Sequence, residues 1–480
     1  MVDSAVSPST EATAAPAASG GRAASGGRAA WGGGQSAFYA TAGIVPLPLI
    51  ERASGVHMWD AEGNRYIDVS SGPVVSNIGH GNARVADAMA AQARTMEYAF
   101  PRLARNRPNI DYTERLARLA GPGFERVSLT SGGSEATDNA IKLLRQYVVA
   151  TGRPAKTQVI TCQPSYHGAT IAALAMNGDD AMAPFLDGFA EPSPKVPAPI
   201  GYRPPPNHDA ASYARHCADC LAARIDELGA DNVLAFLVEP VGGLSTGCVV
   251  PPADYIRRIR DICTWNDVYL VFDEILCGMG RTGRFLAAHH WPDSLPDVVT
   301  MAKGLASGYS PLGAVLAPAA LVDDLAARTG YEFQYSYNAN PVSCAAGAAV
   351  LDEYERLDLT ARAAALGGTL RDGLEDLKAR CPIVGDVRGL GLLLAVELVA
   401  DPRTKAMLPS ELQLTERVRL HGLNHGLIIY SRQTSGGRYG HWFLVSPPLT
   451  ITDDEVADLL DRLAATLADL HAELTARGVL

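Results

Sequence analysis

The chain lacks any uninterrupted apolar segment as long as the roughly 18 residues that a membrane-spanning helix needs, so no membrane partner is expected. It also lacks an excess of basic charge, with 41 Lys and Arg residues against 52 Asp and Glu residues. The resulting net charge of −11 disfavours nucleic acid as a partner, but it leaves room for a local basic pocket that binds a small anion. Apolar residues make up 47% of the 480 positions, which is ample material for a globular core.

Cysteine is scarce, because eight residues in a chain of 480 are too few for a disulfide scaffold. The pattern predicts buried free thiols in a reducing compartment, and the expected location is cytoplasmic. Cys217 and Cys220 form a C-x-x-C pair, but the surrounding segment ASYARHCADCLAARIDEL favours a helix. A structural zinc site normally needs a second pair of ligands at suitable spacing, so no metal site is expected.

Residues 1–35 differ in composition from the rest of the chain. They consist almost entirely of Ala, Gly, Ser, Pro and Thr and include the small repeat AASGGRAASGGRAA. A segment of this kind cannot bury enough surface to offset the entropy lost on ordering, so a disordered tail is predicted. It has no continuous apolar stretch of the kind that a secretory signal carries, while a transit peptide stays open as an alternative.

From about residue 36 the sequence becomes globular, and IERASGVHMWDAEGNRYIDVSSG predicts a small β-meander. Five apolar segments separated by helical patterns then predict buried strands: RVSLT (126–130), TQVITC (157–162), VLAFLVEP (233–240), DVYLVFDE (267–274) and DVVTMAK (297–303). Alternating strands and helices favour an α/β fold whose parallel sheet is covered by helices on both faces. After Pro341, one long helical stretch, two strand-like segments and a final amphipathic helix over 453–477 predict a second, smaller α+β domain.

Unusual polar residues fall where these strands end. DVYLVFDE ends in Asp273-Glu274, and the next strand, DVVTMAK, ends in Lys303, 30 residues after Asp273. Because the carboxyl ends of parallel strands meet at one edge of a sheet, both side chains are expected to face one cavity there. A simple salt bridge between the two residues is the alternative explanation.

Two further strand ends add polar and aromatic residues to the same edge. RVSLT runs into Ser131-Gly132-Gly133-Ser134 and then a helix, whose free N–H groups form a typical phosphate site. Ser131 or Ser134 could equally be an ordinary helix cap. TQVITC runs into a loop that contains Tyr166 and His167. Pyridoxal phosphate requires a phosphate-binding site, an aromatic ring to stack on, a carboxylate and a lysine, and the sequence places all four at this edge.

At this point the sequence resembles a known family, the class III (ω-type) aminotransferases among the fold-type I pyridoxal-phosphate enzymes. The matching segments occur in the family's order from about residue 37 to the end: SGGSEATDNAIKL, SYHGAT, VEPVGG, VFDEILCGMGRTG, TMAKGLASGYSPLGAV, NPVSCAAGAAVLD, VRGLGLLLAVEL and SPPLTIT. The resemblance implies a large domain with a mainly parallel seven-stranded sheet between helices, over residues 85–345. It also implies a smaller α+β domain built from both chain ends, residues 36–84 and 346–480.

The resemblance also implies roles for individual residues around pyridoxal 5'-phosphate. Lys303 is the expected Schiff-base lysine and proton carrier, and Asp273 is expected against the pyridine nitrogen. Tyr166 and Ile275 are expected on the two ring faces. The remaining expected cofactor contacts are Ser131, Gly133, Ser134, His167, Glu239 and, from a partner subunit, Ser336. The resemblance therefore implies a homodimer whose active sites lie at the interface.

Departures from the family pattern bear on the substrate. Relatives that use glutamate carry polar or charged residues at three positions that are Leu244, Leu276 and Leu444 in this chain. The segment DEILCGMGRTG resembles the amine:pyruvate branch, which binds the carboxylate of pyruvate with one mobile arginine. Arg432 is the candidate for that arginine and Arg438 is its competitor.

The substrates are therefore expected to be a primary amine or ω-amino acid and a keto acid, with pyruvate as the acceptor and ping-pong kinetics. Trp59, Ser71 and Tyr98 fall where the family lines its substrate pocket, although each could instead be a packing residue. A racemase or epimerase, an aminomutase and a decarboxylase share the same fold, lysine and aspartate. These activities remain alternatives.

Overall fold

The computed structural model describes residues 47–480. The predicted tail, 1–35, and the first part of the predicted 36–84 segment lie outside the described residues. The strands are β1 (Ile50–Ser54), β2 (His57–Asp60), β3 (Arg65–Asp68), β4 (Arg126–Thr130), β5 (Gln158–Gln163), β6 (Lys195–Pro197), β7 (Val233–Val238), β8 (Tyr269–Asp273), β9 (Val298–Met301), β10 (Gly313–Ala317), β11 (Val384–Leu390), β12 (Leu393–Leu398), β13 (Leu427–Ile428) and β14 (His441–Val445).

Helices cover the described chain between and after these strands. They are α1 (Ser71–Val74), α2 (Ala83–Thr95), α3 (Arg107–Ala120), α4 (Gly133–Ala150), α5 (Ile171–Met176), α6 (Ala210–Leu228), α7 (Ala253–Trp265), α8 (Ala319–Arg328), α9 (Pro341–Arg356), α10 (Leu359–Arg380), α11 (Leu414–Asn424) and α12 (Asp453–Ala476). Gly72 and Pro73 have non-helical backbone angles, so α1 is only a distorted turn.

A mainly parallel sheet of seven strands organises the fold, as predicted. Its strand order is β4-β10-β9-β8-β7-β5-β6, and β10 runs antiparallel to both of its neighbours. All six residues of β7 are buried, which explains why its sequence is continuously apolar instead of alternating. The strands β8 and β9 pair in parallel with Asp273 opposite Thr300, so the segments after them emerge side by side.

Residues from both ends of the described chain share a second sheet. The strands β1, β2 and β3 pair antiparallel, and β13 from the C-terminal part pairs in parallel with β3. A third sheet consists of the antiparallel strands β11, β12 and β14. This arrangement agrees with a smaller α+β part built from both ends, while the domain boundaries at 84/85 and 345/346 remain a proposal.

The single helical stretch predicted after Pro341 is divided in the structure. Helix α9 ends at Arg356 and α10 begins at Leu359. Between them Asp358 has a φ of 45°, in the left-handed region, which a continuous α-helix cannot accommodate. The two helices therefore lie in different directions against the rest of the fold.

Neither a membrane crossing nor a metal cluster is found in the described part of the chain. Among residues 47–480, none of the helices combines the length and the apolar composition that crossing a bilayer requires. Within the same residues, no three His, Cys, Asp or Glu side chains are grouped to hold a metal ion. All eight cysteines are free thiols, and Cys217 is buried while Cys220 is partly exposed on α6.

Candidate active site

A cavity of about 560 Å³ lies at the carboxyl ends of the parallel strands. This is where an open α/β sheet binds ligands, and the volume suits a small organic molecule. Ten of the residues singled out from the sequence line it: Ser131, Gly133, Ser134, Tyr166, His167, Glu239, Asp273, Ile275, Lys303 and Arg432.

Lys303 lines the cavity and lies two residues after β9. It begins a single 3₁₀ turn and has a φ of 46°, a left-handed conformation that costs a non-glycine residue about 1–2 kcal/mol. Burial lowers the pKa of the Lys303 amine, while the nearby carboxylates of Asp273 and Glu239 act in the opposite direction. A neutral amine, which is the form that acts as a nucleophile or a base, is therefore more accessible than in a free lysine.

Asp273 is fixed at the end of β8 by hydrogen bonds to both of its oxygens. Nδ1–H of His167 donates to Oδ2 over 2.8 Å, and the backbone N–H of Ile275 donates to Oδ1 over 3.1 Å. His167 is itself anchored, because its backbone N–H donates to Oδ1 of Asn177 over 2.6 Å. The carboxylate is 4% exposed, so these contacts hold a buried negative charge in one orientation at the cavity.

The N-terminus of the 18-residue helix α4 opens onto the same cavity. No side chain caps it, so the first N–H groups of the helix have no side-chain acceptor. The backbone N–H of Ser131 donates to Oε2 of Glu135 over 2.8 Å. Gly133 packs closely against Ile275, because a Cβ at Gly133 would lie 2.9 Å from Cγ2 of Ile275 and would force that side chain to shift.

Glu239 connects the loop that follows β7 with the loop that contains Tyr166. Its Oε2 accepts from the Ser245 hydroxyl over 2.8 Å and from the Tyr166 backbone N–H over 3.2 Å. Its Oε1 accepts from the backbone N–H of Gly243 over 3.0 Å. Burial raises the pKa of this carboxyl, and His167 opposes that effect. The network sets the position of the Tyr166 ring, which is 39% exposed.

These features fit pyridoxal phosphate, judged by the donors present. An uncapped helix N-terminus offers free N–H groups for the phosphate. A buried carboxylate at Asp273 can face a protonated ring nitrogen, and the side chain of Ile275 together with Tyr166 can enclose a flat ring. Lys303 supplies an amine for the aldehyde carbon.

Comparison with known proteins decides the family. The family model for class III aminotransferases matches residues 38–467. The chain belongs to the class III aminotransferases. Pyridoxal phosphate is accordingly the cofactor of this fold-type I enzyme, and the family acts on small-molecule amines and keto acids.

Several individual proteins are similar along most of their length. The probable aminotransferase Rv3329 of Mycobacterium tuberculosis is 40% identical over 78% of this chain and 79% of its own. The diaminobutyrate–2-oxoglutarate transaminase of Halomonas elongata is 34% identical over 91% of this chain and 94% of its own. The PLP-bound amine transaminase of an uncultivated Pseudomonas species superposes with a TM-score of 0.83, at 33% identity, covering 88% and 95% of the chains.

The structure separates the two candidate arginines of this aminotransferase. Arg432 lines the cavity, with its guanidinium carbon 5.7 Å from the centre of the Tyr166 ring. The side chain of Arg438 is 67% exposed, pairs with Asp180 and lines a different cavity beside Lys195. Arg432 is therefore the guanidinium that a ligand in the active-site cavity can reach.

Four sequence-predicted residues do not line the cavity of their own chain. Ser71 is fully buried and donates to the backbone oxygen of Ser446 over 2.7 Å, so its hydroxyl is not available to a substrate. Trp59 lies on β2 with the Arg52 guanidinium over its ring at 3.7 Å. The Tyr98 hydroxyl donates to the backbone oxygen of Ser336 over 2.8 Å, and both residues are exposed. Substrate contacts by Trp59 and Tyr98 remain proposals, as does the contact of Ser336 with the phosphate in a partner subunit.

Three polar residues at or beside the cavity illustrate what sequence reasoning missed. Ser245 and Tyr430 line it, and Asp179 forms an ion pair with Arg432. None of them falls in a strand-end motif, and Asp179 follows Asn177-Gly178, which reads only as a turn signal. The pairing of Asp179 with Arg432 brings together residues 253 positions apart, which no local pattern reports.

Proposed function

We propose that this aminotransferase moves an amino group from a primary amine or ω-amino acid to pyruvate, by a ping-pong mechanism in two half-reactions. The proposal rests on the number of arginine side chains that line the cavity. Of the described residues that line it, Arg432 is the one arginine. One guanidinium suits one carboxylate, so a monocarboxylate such as pyruvate fits better than a dicarboxylate.

The three leucines that distinguish the chain from glutamate-using relatives support the same choice. Leu244 and Leu276 line the cavity, and Leu444 is fully buried on β14. Leu244 and Leu444 belong to one apolar cluster that also contains Trp442. A second substrate carboxylate placed against this wall would lose its hydration without gaining a partner, which is costly.

When bound, pyridoxal phosphate supplies a carbon that holds amino groups covalently and a ring that accepts electrons. The protein would hold it through the N–H groups of Gly133 and Ser134 at the phosphate and through Tyr166 and Ile275 on the ring faces. The Asp273 carboxylate would hold a proton at the ring nitrogen. His167 fixes the orientation of that carboxylate.

Lys303 moves the proton that amino transfer requires. Its neutral Nζ would take a proton from the substrate carbon that bears the nitrogen and would give it up again on the other side of that nitrogen, two bonds away. Burial favours the neutral amine that this role needs. Arg432 binds the carboxylate of the keto acid and has to accommodate an uncharged group when the amine is bound.

Relatives are divided on the acceptor, so the test compares two keto acids. One relative is a diaminobutyrate–2-oxoglutarate transaminase, and another, from Pseudomonas aeruginosa, is a putrescine–pyruvate aminotransferase. We expect kcat/KM for pyruvate to exceed that for 2-oxoglutarate by about a hundredfold, because the second carboxylate finds no charged partner. Parallel lines in double-reciprocal plots would support the ping-pong order. A preference for 2-oxoglutarate, with glutamate as product, would overturn the acceptor assignment.

A second candidate is racemisation on the same scaffold, favoured by the similarity to a leucine/methionine racemase of Thermococcus litoralis, 32% identical over 88% of this chain. A racemase inverts an amino acid without a keto acid. Incubation of the holoenzyme with single L-amino acids in deuterated water separates the two. Formation of the D-enantiomer without any keto acid would favour the racemase.

The assembly and location of the enzyme are also part of the proposal. A homodimer is supported by the exposure of Phe333 and Tyr337 on the loop that carries Ser336 and by the exposure of Tyr98, whose hydroxyl contacts that loop. A cytoplasmic location is supported by eight cysteines, none of which forms a disulfide. Light scattering of the purified protein tests the first expectation, and fractionation of the source cells tests the second.

A further inference from the structure

Asp179 forms a buried ion pair at the edge of the active-site cavity. It lies three residues after α5 and precedes a 3₁₀ turn over Asp180–Phe185. Its Oδ2 accepts from Nη2 of Arg432. Its Oδ1 accepts from the backbone N–H of Ser435 over 2.9 Å and from that of Ala181 over 3.2 Å.

The two oxygens of Asp179 therefore have different partners. Oδ1 is held by two backbone N–H groups and by the Ser435 hydroxyl over 3.4 Å, and only Oδ2 meets a side chain that faces the cavity. Asp179 is 5% exposed, whereas the side chain of Arg432 is 32% exposed. The carboxylate is thus a fixed part of the wall, and the arginine extends from it over the Tyr166 ring.

We propose that Asp179 is a positioning and specificity-determining residue, the internal counter-ion that holds Arg432 whenever the bound substrate has no carboxylate. The inference rests on the proposed function, in which Arg432 binds the carboxylate of the keto acid. The carboxylate of the substrate has to compete with Asp179 for the same guanidinium. An amine without a carboxylate leaves the internal pair intact, so no unpaired arginine lies beside its apolar part.

The neighbouring ion pair of Asp180 and Arg438 is a structural contact outside the active-site cavity. Asp180 and Arg438 join the same two loops over 3.2 Å, but Arg438 points away from the active-site cavity. If the Asp179 pair only fastened the loops, neutralising Asp179 would lower stability without changing the relative affinities for a carboxylate and for an uncharged amine. Asp180→Asn is therefore the matched control for Asp179→Asn.

Asp179→Asn removes the charge that pairs with Arg432 but keeps an oxygen that can accept from the backbone. The amide oxygen of Asn can still accept from the N–H groups of Ser435 and Ala181, so the turn keeps its cap. Asp179→Glu keeps the charge on a longer side chain. Comparison of the three variants separates loss of charge from loss of loop geometry.

The experiment measures binding of propionate, a carboxylate of the size of pyruvate that has no group to transfer, to each holoenzyme by calorimetry. We expect Asp179→Asn to bind propionate about tenfold more tightly than the wild type, because the internal competitor and its repulsion are gone. Asp180→Asn should bind it like the wild type. In steady state, Asp179→Asn should lower the KM for pyruvate and raise that for a carboxylate-free amine by about threefold.

Combination with Arg432→Ala shows whether Asp179 acts through the arginine. In that background Asp179→Asn should no longer change the affinity for propionate. Weaker or unchanged propionate binding by Asp179→Asn, or equal effects of the two asparagine variants, would overturn the inference. If Arg432→Ala alone leaves the affinity for propionate unchanged, Arg432 does not bind the carboxylate and its role in the proposed function is overturned. The failure of the proposed function is therefore distinguishable from the failure of the inference about Asp179.

Discussion

At the residue scale, the site residues that lie at strand ends could be predicted from the sequence, and those on other loops could not. Asp273 and Lys303 could be placed at one edge of the sheet because each directly follows a buried strand in the sequence. Arg432 could be named only through family resemblance, and Asp179 could not be named at all. Their contact arises from two loops that the fold brings together, and loop contacts of this kind leave no periodic signal.

Substitution of Gly133 tests the proposed phosphate site at the N-terminus of α4. A Cβ at Gly133 would come within 2.9 Å of Ile275, whereas one at Gly132 would meet nothing within 4 Å. Gly133→Ala is expected to weaken cofactor affinity about tenfold, because Ile275 must shift toward the ring. Gly132→Ala is the matched control and should bind the cofactor almost normally. The measurement is the dissociation constant of pyridoxal phosphate, and equal losses in both variants would contradict the predicted contact.

The pH dependence of cofactor capture tests the state of Lys303. Burial lowers the pKa of its amine from the ordinary 10.5, so the neutral form is reached at lower pH than in a free lysine. The rate at which the apoenzyme captures pyridoxal phosphate should therefore rise with pH and reach its midpoint below 10.5. Lys303→Ala is the control and should show no covalent capture. A midpoint at or above 10.5 would mean that Asp273 and Glu239 outweigh burial.

At the element scale, the predictions were strongest for long periodic segments. The central strands were predicted because their apolar runs are continuous, and the terminal amphipathic helix because its pattern is sustained. The edge strand β6 has only three residues, next to prolines, and β10 is a short Gly/Ala-rich segment. Segments this short cannot be distinguished from loops by their sequence pattern, so two of the seven strands were missed.

Lys195 on β6 offers a test of how this edge strand is held. Its amine donates to the Thr161 hydroxyl on β5 over 2.7 Å, and burial lowers its pKa to about 8. The folded protein therefore loses the proton near pH 8, and the unfolded chain keeps it to about 10.5.

The unfolded state binds more protons in that interval, so stability should rise with pH there. Relative to Lys195→Met, the wild type should gain up to about 3 kcal/mol in its free energy of unfolding between these pH values. Urea denaturation at several pH values measures the difference. A difference that stays constant over the interval would contradict the lowered pKa.

At the scale of the whole molecule, the two ends of the described chain meet in one sheet through β3 and β13. Local patterns predicted β3 within the β-meander, but they predicted neither the two-residue strand β13 nor its pairing with β3. Family resemblance supplied only that both chain ends share one domain. The same limit applies to the second subunit. Ser336 does not line the cavity of its own chain, so its proposed contact with the phosphate requires a partner.

Mixing of two inactive variants tests that requirement. Lys303→Ala keeps Ser336, and Ser336→Asp keeps Lys303 but repels the phosphate. In a mixed dimer one site combines the intact residue of each subunit, so random exchange should restore about a quarter of wild-type activity. Each parent alone serves as the control. Activity that stays at the level of the parents would contradict an active site shared between subunits.

The most direct test of amino transfer to pyruvate is a two-step absorption spectrum of the holoenzyme. A primary amine should remove the visible band of the bound cofactor, and pyruvate should then restore it while 2-oxoglutarate does not. Lys303→Ala should show neither change. Restoration by 2-oxoglutarate in place of pyruvate, or a band that no amine removes, would contradict the account.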